Sequence, residues 1–402
     1  MKAAVYIGDG RFELEETPLP KPAPGESLLE MSCAGVCGTD LRIFQGHLRE
    51  RVGARRILGH EAVSIVREPG AQSSFCAGDR VVIEPTLSCG QCRPCRRGAT
   101  HVCQNLRLLG IDVDGAFRQF WAVPEHRLHK LPDHLADDHA ALIEPLAVAV
   151  HAVRQAKLAG GETVVVIGAG PIGVLIALLS RNAGAKVVVF EINADRVKFA
   201  RQLQLNVLDS RGEDGRDAVM ELTQGAGADV LFEASGSAAG ARLVTSLASV
   251  QGRIVLVGIH DKNTPVDLYQ IFSRELSIQG IRSYSSGDFR QAIVLAAAGE
   301  LHLAAFISRQ FPLERLGDGT ARQGDLRSRG LRASGARSVR ARRSRIHRAG
   351  LCARIPRFPL SLAQLAGKVP GHRRLVRSLR QARLHDVDAA ADAVISAPLA
   401  LT

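Results

Sequence analysis

Residues 163–180 read TVVVIGAGPIGVLIALLS. A β-branched run from Thr163 to Ile167 leads into three glycines, Gly168, Gly170 and Gly173, and an apolar stretch of helical length follows Pro171. By length alone the segment could span a bilayer, but the GAGPIG break in it removes that reading. A strand, a glycine turn and a helix in that order predict a dinucleotide loop. The glycines let the backbone approach a pyrophosphate, which rests on the helix N-terminus.

Working outward, the next strand, KVVVFE, ends on Glu191, 18 residues after Gly173. A carboxylate there accepts ribose hydroxyls and repels a 2′-phosphate, which favours NAD over NADP. Arg196 is the opposing signal, because an arginine can meet a phosphate; we expect it to flank the adenine instead. ADRVKFARQL, DVLFEAS and GRIVLVG continue an alternation of helix and strand. The expected architecture for 151–286 is therefore an α/β Rossmann domain, a parallel sheet with helices on both faces. Before it, AAVYI, ESLLEMSCAG, EAVSIVRE, GDRVVIEP and AFRQFWAV alternate between turns of Gly, Pro and Asp, so 1–150 reads as a mostly β domain. After it, DFRQAIVLAAAGEL predicts a helix and AAFISRQFPLERL a strand entering a turn, with 287–319 returning to the first domain.

CGQCRPCRRGATHVC, residues 89–103, holds four of the chain's eight cysteines. Cys89, Cys92, Cys95 and Cys103 have the spacing of a closed tetrahedral zinc site with no position open to substrate. Arg93, Arg96 and Arg97 lie among them and are expected to offset the thiolate charge. Such a site holds a loop together, so the chemistry belongs elsewhere. Three separated pieces offer it: Cys37 in VCGTD, His60 and Glu61 in LGHEA, and Glu144 in LIEPLAV. Thiolate, imidazole and carboxylate suit a zinc with one exchangeable position. Singly each is weak, since a lone Cys is usually core and Glu144 before Pro145 could simply open a helix.

The formal charge of +12 suggests nucleic acid until it is divided along the chain. Residues 320–402 hold 17 arginines and Lys368 against four aspartates, while 1–319 is nearly neutral. The tail has no helical or strand period. It reads as an atypical Arg-rich segment, irregular or disordered, or as out-of-frame translation of GC-rich DNA; a nucleic-acid-binding arm is the alternative. The N-terminus shows no secretory signal, so the cytoplasm is the expected compartment, with no membrane partner.

Cys37, GHE at 59–61, the four-cysteine lobe, EP at 144 and 145, and GAGPIG followed by Glu191 occur in one order. Over residues 1–319 this resembles the zinc-dependent medium-chain alcohol dehydrogenases, and among them the sorbitol (polyol) and L-threonine dehydrogenase branch. The resemblance implies a GroES-like catalytic domain beside the Rossmann domain, two Zn2+ per chain, NAD, and a homodimer or homotetramer built partly through the Rossmann sheet. It implies that Cys37 and His60 are catalytic zinc ligands, with Glu61 and Glu144 as a third ligand or as close partners through water. Thr39 matches the hydroxyl residue that hydrogen-bonds the substrate oxygen. Ile172, Glu191, Arg196, the Val257–Gly258–Ile259 backbone, and Ile281 with Arg282 match positions that contact NAD.

The implied activity is hydride transfer from a secondary alcohol, a polyol or sugar alcohol, to NAD, with L-threonine or 2,3-butanediol as alternative substrates. A nucleic-acid-binding protein and an inactive frameshifted product are the readings from other classes. Two departures from the branch stand out. Arg42 occupies the position where a His often relays the proton, and an arginine stays protonated; His47 or ordered water is left to substitute. The Arg-rich tail also replaces the helix and strand that close the catalytic domain.

Overall fold

The computed structural model describes residues 1–209, 214–260 and 264–317. The Arg-rich 320–402 segment lies outside the described residues, and with it the disordered, frameshift and nucleic-acid readings of that tail.

Six parallel strands form the sheet that carries the glycine loop. Across it they run Asn206–Asp209, Lys186–Glu191, Thr163–Ile167, Ala228–Glu233, Ala248–Leu256 and Ser277–Gly280. In chain order this is 3-2-1-4-5-6, the doubly wound arrangement, in which ligands bind beyond the carboxyl ends of the strands where the order reverses. That reversal falls between Thr163–Ile167 and Ala228–Glu233. Val164, Val165 and Val166 are fully buried because helices cover both faces, which is why the sequence there is continuously apolar rather than alternating. Each such side chain contributes roughly 1.5–3 kcal/mol by burial.

The preceding segment forms a five-stranded antiparallel sheet ordered Leu128–Lys130, Arg80–Ile83, Glu61–Glu68, Glu26–Gly35 and Phe120–Pro124. A smaller sheet pairs Lys2–Gly8 with Arg11–Glu16 and Arg56–Ile57. Helix Ile143–Gln155 joins the two regions: its Leu146, Ala149 and Val150 share one core with Val63 and Val82 of the antiparallel sheet and with Val174 and Leu178 of helix Pro171–Asn182. The predicted helix after Gly287 is present as Ser286–Ala298, started by a Ser285/Asp288 capping box and ended at Gly299 with φ 76°.

The strand expected in AAFISRQFPLERL is not formed. That stretch contains short 3-10 turns at Leu303–Phe306 and Leu313–Arg315. Its buried anchors, Phe306, Phe311 and Leu316, are five residues apart rather than two, and Pro312 has no N–H for a ladder. Phe306 packs edge-on against Phe199 at 5.4 Å, whereas Phe311 and Leu316 join the core of the antiparallel region.

Candidate active site

Cys37 is the N-cap of helix Gly38–Phe44. Its backbone N–H donates to Asp40 Oδ2 at 2.8 Å and its Sγ accepts from the Thr39 N–H at 3.4 Å, so the capping box fixes the direction of the sulfur. His60 and Glu61 arrive from another element, where the chain enters strand Glu61–Glu68. Both are buried, and Gly35 on the paired strand leaves the space that the Glu61 carboxylate fills; a Cβ at Gly35 would lie 2.0 Å from Glu61 Oε2. One ligand atom from each of Cys37, His60 and Glu61 lies within 4.8 Å of the others.

Glu144 stands outside that 4.8 Å set. It occupies the first turn of helix Ile143–Gln155, and its Oε1 accepts from the Tyr284 hydroxyl at 2.8 Å. Burial pushes Glu61 up to about 8 against the opposing pull of His60, and burial also raises Glu144. Burial and the nearby Glu61 raise the Cys37 thiol. Burial alone would lower His60, but Asp40 and Cys37 outweigh it and hold the imidazole well above its ordinary value. Sulfur, nitrogen and oxygen donors crowded around one buried point, with a single imidazole to balance the acids, are a donor set suited to a dication such as zinc.

The four-cysteine lobe also closes on itself. Cys92 Sγ lies 3.3 Å from Cys95 Sγ and 3.7 Å from Cys103 Sγ, and Cys103 Sγ lies 3.5 Å from Cys89 Sγ. Backbone N–H groups of Gln91 and Cys92 pull Cys89 down to about 6, while burial holds Cys95 up at about 12. All four sulfurs converge within 4.8 Å, which fits a closed tetrahedral zinc. Arg93, Arg96 and Arg97 are exposed, and Arg96 Nη1 is bonded to the Gln91 carbonyl, so their expected offset of thiolate charge acts from the solvent side.

In the nucleotide crevice Gly168 has φ 102°, and a Cβ on it would approach Ser235 N to 2.9 Å; a Cβ on Gly173 would meet Gly168 O at 1.9 Å. The loop therefore packs tightly at the reversal of strand order, and Gly170 is the N-cap of the helix that follows, with Ile172 in its first turn. Glu191 is buried. Its Oε2 accepts from Ala169 N at 2.8 Å, and its Oε1 from Ile192 N and Asn193 N at 2.8 and 2.9 Å, while Arg196 Nη1 lies 3.6 Å from Oε2. Arg196 is thus drawn to the carboxylate. Val257 N and Gly258 N both donate to Glu233 O, with Ile259 exposed beyond them, and Ile281 N donates to Leu256 O with Arg282 exposed next to it.

Arg42 lies in the same helix as Thr39, whereas His47 is exposed past its end. Sequence reasoning passed over Asp40, Tyr284, and the buried Glu233, whose Oε2 is bonded to His260 Nε2 at 2.7 Å. Only Asp40 had a local signal, as the N3 carboxylate of a capping box; the others reach their partners from distant segments.

Family models match two portions of the chain: the alcohol dehydrogenase GroES-like domain over residues 23–133 and the zinc-binding dehydrogenase model over 171–298. A 2-dehydro-3-deoxy-L-galactonate 5-dehydrogenase from Pseudoalteromonas atlantica is 41% identical over 322 residues, 80% of this chain and 94% of the relative. Among solved structures, 2R,3R-butanediol dehydrogenase from Bacillus subtilis aligns with a TM-score of 0.77 at 28% identity, covering 84% of this chain and 99% of that one. A zinc-binding dehydrogenase from Sinorhizobium meliloti, solved bound to NADP, aligns with a TM-score of 0.76 at 29% identity, covering 83% and 98%. These similarities support zinc and a nicotinamide dinucleotide as cofactors, and a small alcohol as substrate is consistent with them. With the GroES-like region, the parallel sheet and the two donor sets in place, the chain belongs to the zinc-dependent medium-chain alcohol dehydrogenase family.

Proposed function

We propose that this enzyme oxidises the secondary alcohol of a polyol or sugar-derived substrate with NAD, at a zinc held by Cys37, His60 and Glu61 with Glu144 beside it. The convergence of sulfur, imidazole and carboxylate within 4.8 Å carries this reading. A second, structural zinc belongs to Cys89, Cys92, Cys95 and Cys103. When bound, the catalytic zinc polarises the substrate hydroxyl and lowers its pKa, and NAD accepts the hydride.

The chain's own residues orient and exclude. The capping box fixes Cys37, the buried Asp40 faces His60, and Thr39, two residues along, offers a hydroxyl to the substrate oxygen and passes its proton outward. Arg42 remains a donor and cannot carry that proton further, so water takes it onward. Gly168, Gly170, Ile172 and Gly173 cradle the pyrophosphate at the helix start, while Glu191 sets the preference for NAD and Arg196 flanks the adenine. Val257, Gly258 and Ile259, with Ile281 and Arg282, hold the nicotinamide half. The catalytic lobe comprises 1–150 with 287–319, and the nucleotide lobe 151–286.

Two copies pair through the parallel sheet. Its last strand, Ser277–Gly280, is exposed along its length, and Leu268, Tyr269 and Phe272 nearby are 74%, 72% and 79% exposed. An unpaired edge beside such apolar surface is a template for a second copy. Among the described residues no helix is long and apolar enough to cross a membrane. The four converging cysteines of the 89–103 loop suit a metal better than disulfides, which favours a reducing compartment, the cytoplasm.

The Pseudoalteromonas relative is named for a sugar-acid substrate, which favours a polyhydroxylated compound over L-threonine. The test is NADH formation by the zinc-replete full chain with sorbitol, xylitol, galactitol, L-threonine and 2,3-butanediol. Turnover on the polyols is expected; turnover confined to L-threonine would reject the polyol assignment.

A further inference from the structure

Residues 281–285 connect the last strand of the parallel sheet to helix Ser286–Ala298, and three polar ties from this connection and the first turn of the helix hold it against the catalytic region. The Tyr284 hydroxyl donates to Glu144 Oε1 at 2.8 Å. Ser286 Oγ donates to Glu84 Oε1 at 2.7 Å, beside Arg127 and His129, which bond the same carboxylate. Asp288 bonds His151 Nδ1 at 2.8 Å and Arg154 Nε at 2.6 Å, both on the helix that carries Glu144. At its other end the segment begins with Ile281 and Arg282, the residues assigned above to the nicotinamide half of NAD.

Tyr284 is only 1% exposed and packs against Phe289 at 5.5 Å. Its ring is therefore fixed and its hydroxyl cannot turn away to solvent. Glu144, like Asp40, stands outside the 4.8 Å circle, and the oxygen that Tyr284 engages is no longer free to turn inward unaided. A buried carboxylate with one oxygen tied by a neutral donor keeps its second oxygen in a fixed direction.

We propose that Tyr284 is a positioning residue: its hydroxyl sets the placement of Glu144 beside the Cys37–His60–Glu61 set and couples that placement to NAD binding at Ile281 and Arg282. This rests on the zinc reading given above. NAD orders the start of the segment, Tyr284 lies three residues further on, and Glu144 follows the tyrosine. Two sites joined in this way respond to each other, because the segment's arrangement is common to both.

The experiment uses the full chain with cobalt(II) in place of zinc, comparing wild type, Tyr284→Phe, Glu144→Gln and the double variant. Wild type is expected to show a visible cobalt band that shifts when NAD+ is added. In Tyr284→Phe that shift should be lost and kcat should fall about tenfold, the scale of one buried hydrogen bond. If the tyrosine acts through Glu144, adding Tyr284→Phe to Glu144→Gln changes kcat no further. A wild-type band indifferent to NAD+, a wild-type response in Tyr284→Phe, or additive losses in the double variant would each overturn the proposal. Cys37→Ser separates the underlying reading: a cobalt band that survives it unchanged places the metal elsewhere, whatever Tyr284 does. Thermal unfolding of each variant reports any loss of fold, and the additivity comparison still decides among variants that are folded.

Discussion

His60 Nδ1 lies 3.6 Å from Asp40 Oδ1, both atoms are buried, and among the described residues neither has a hydrogen-bond partner. The other Asp40 oxygen is occupied by the Cys37 N–H, so one carboxylate serves two members of the donor set, the sulfur through its helix cap and the imidazole through its charge. Partners of this kind orient metal-bound histidines and make them better ligands. Asp40→Asn keeps the size but removes the charge, and zinc affinity should fall about 10- to 100-fold. Chelator competition measures this; unchanged affinity would remove Asp40 from the site.

The cysteine lobe should matter to folding and not to chemistry. Cys103, buried and within 3.7 Å of Cys92 Sγ, is a stringent position to change. Cys103→Ser should lower metal content by one zinc per chain and cost stability, on the order of 3 kcal/mol. NADH binding should persist. Metal analysis alongside thermal unfolding tests the pair of outcomes, and a loss of NADH binding with the fold intact would contradict it.

Cofactor choice should turn on Glu191. Its oxygens already accept three backbone N–H groups, so removing its size would disturb the loop along with the charge. Glu191→Gln keeps the size. The ratio of kcat/KM for NAD to that for NADP should drop by about tenfold, roughly 1.4 kcal/mol of discrimination. A ratio equal to wild type would mean that the carboxylate does not repel the 2′-phosphate.

Acid should weaken the helix pair locked by Asp288. Burial would raise this carboxyl, but hydrogen bonds from His151, Arg154 and Ser285 overcome it and hold Asp288 well below the ordinary range. Its folded pKa is depressed, so its contribution is present above the unfolded carboxylate pKa of about 3.9 and is lost as pH falls from there toward the folded value. Asp288→Asn should therefore cost about 2 kcal/mol near neutrality, and the gap in Tm between the two proteins should narrow below about pH 4. A gap constant from pH 3 to pH 7 would show that the ionised form adds nothing.

What the sequence made legible was local. The glycines at 168, 170 and 173 needed only their flanking strand and helix to be understood, because close backbone approach is encoded within six residues. The cysteines at 89–103 converge through their own short loop in the same way. Cys37 is separated from His60 and Glu61, and those from Glu144, so the resemblance had to bring them together; the structure joins the first three and leaves Glu144 bonded to Tyr284 instead. A contact spanning 140 residues, between a tyrosine and a glutamate that each look ordinary, leaves no pattern in either neighbourhood. The segment 304–316 misled for a related reason: apolar residues among polar ones suggested a strand, but Phe306, Phe311 and Leu316 are anchored by tertiary packing at a spacing no strand face has.

The central claim is that Cys37 belongs to the metal centre where the alcohol reacts, and a comparison of wild type with Cys37→Ser tests it most directly. Zinc per chain, NADH binding and NAD+ reduction with a polyol should be measured on the same preparations. The account predicts two zinc ions and turnover for wild type, and for the variant one zinc, retained NADH binding and no turnover. Two zinc ions and undiminished turnover in Cys37→Ser would contradict it.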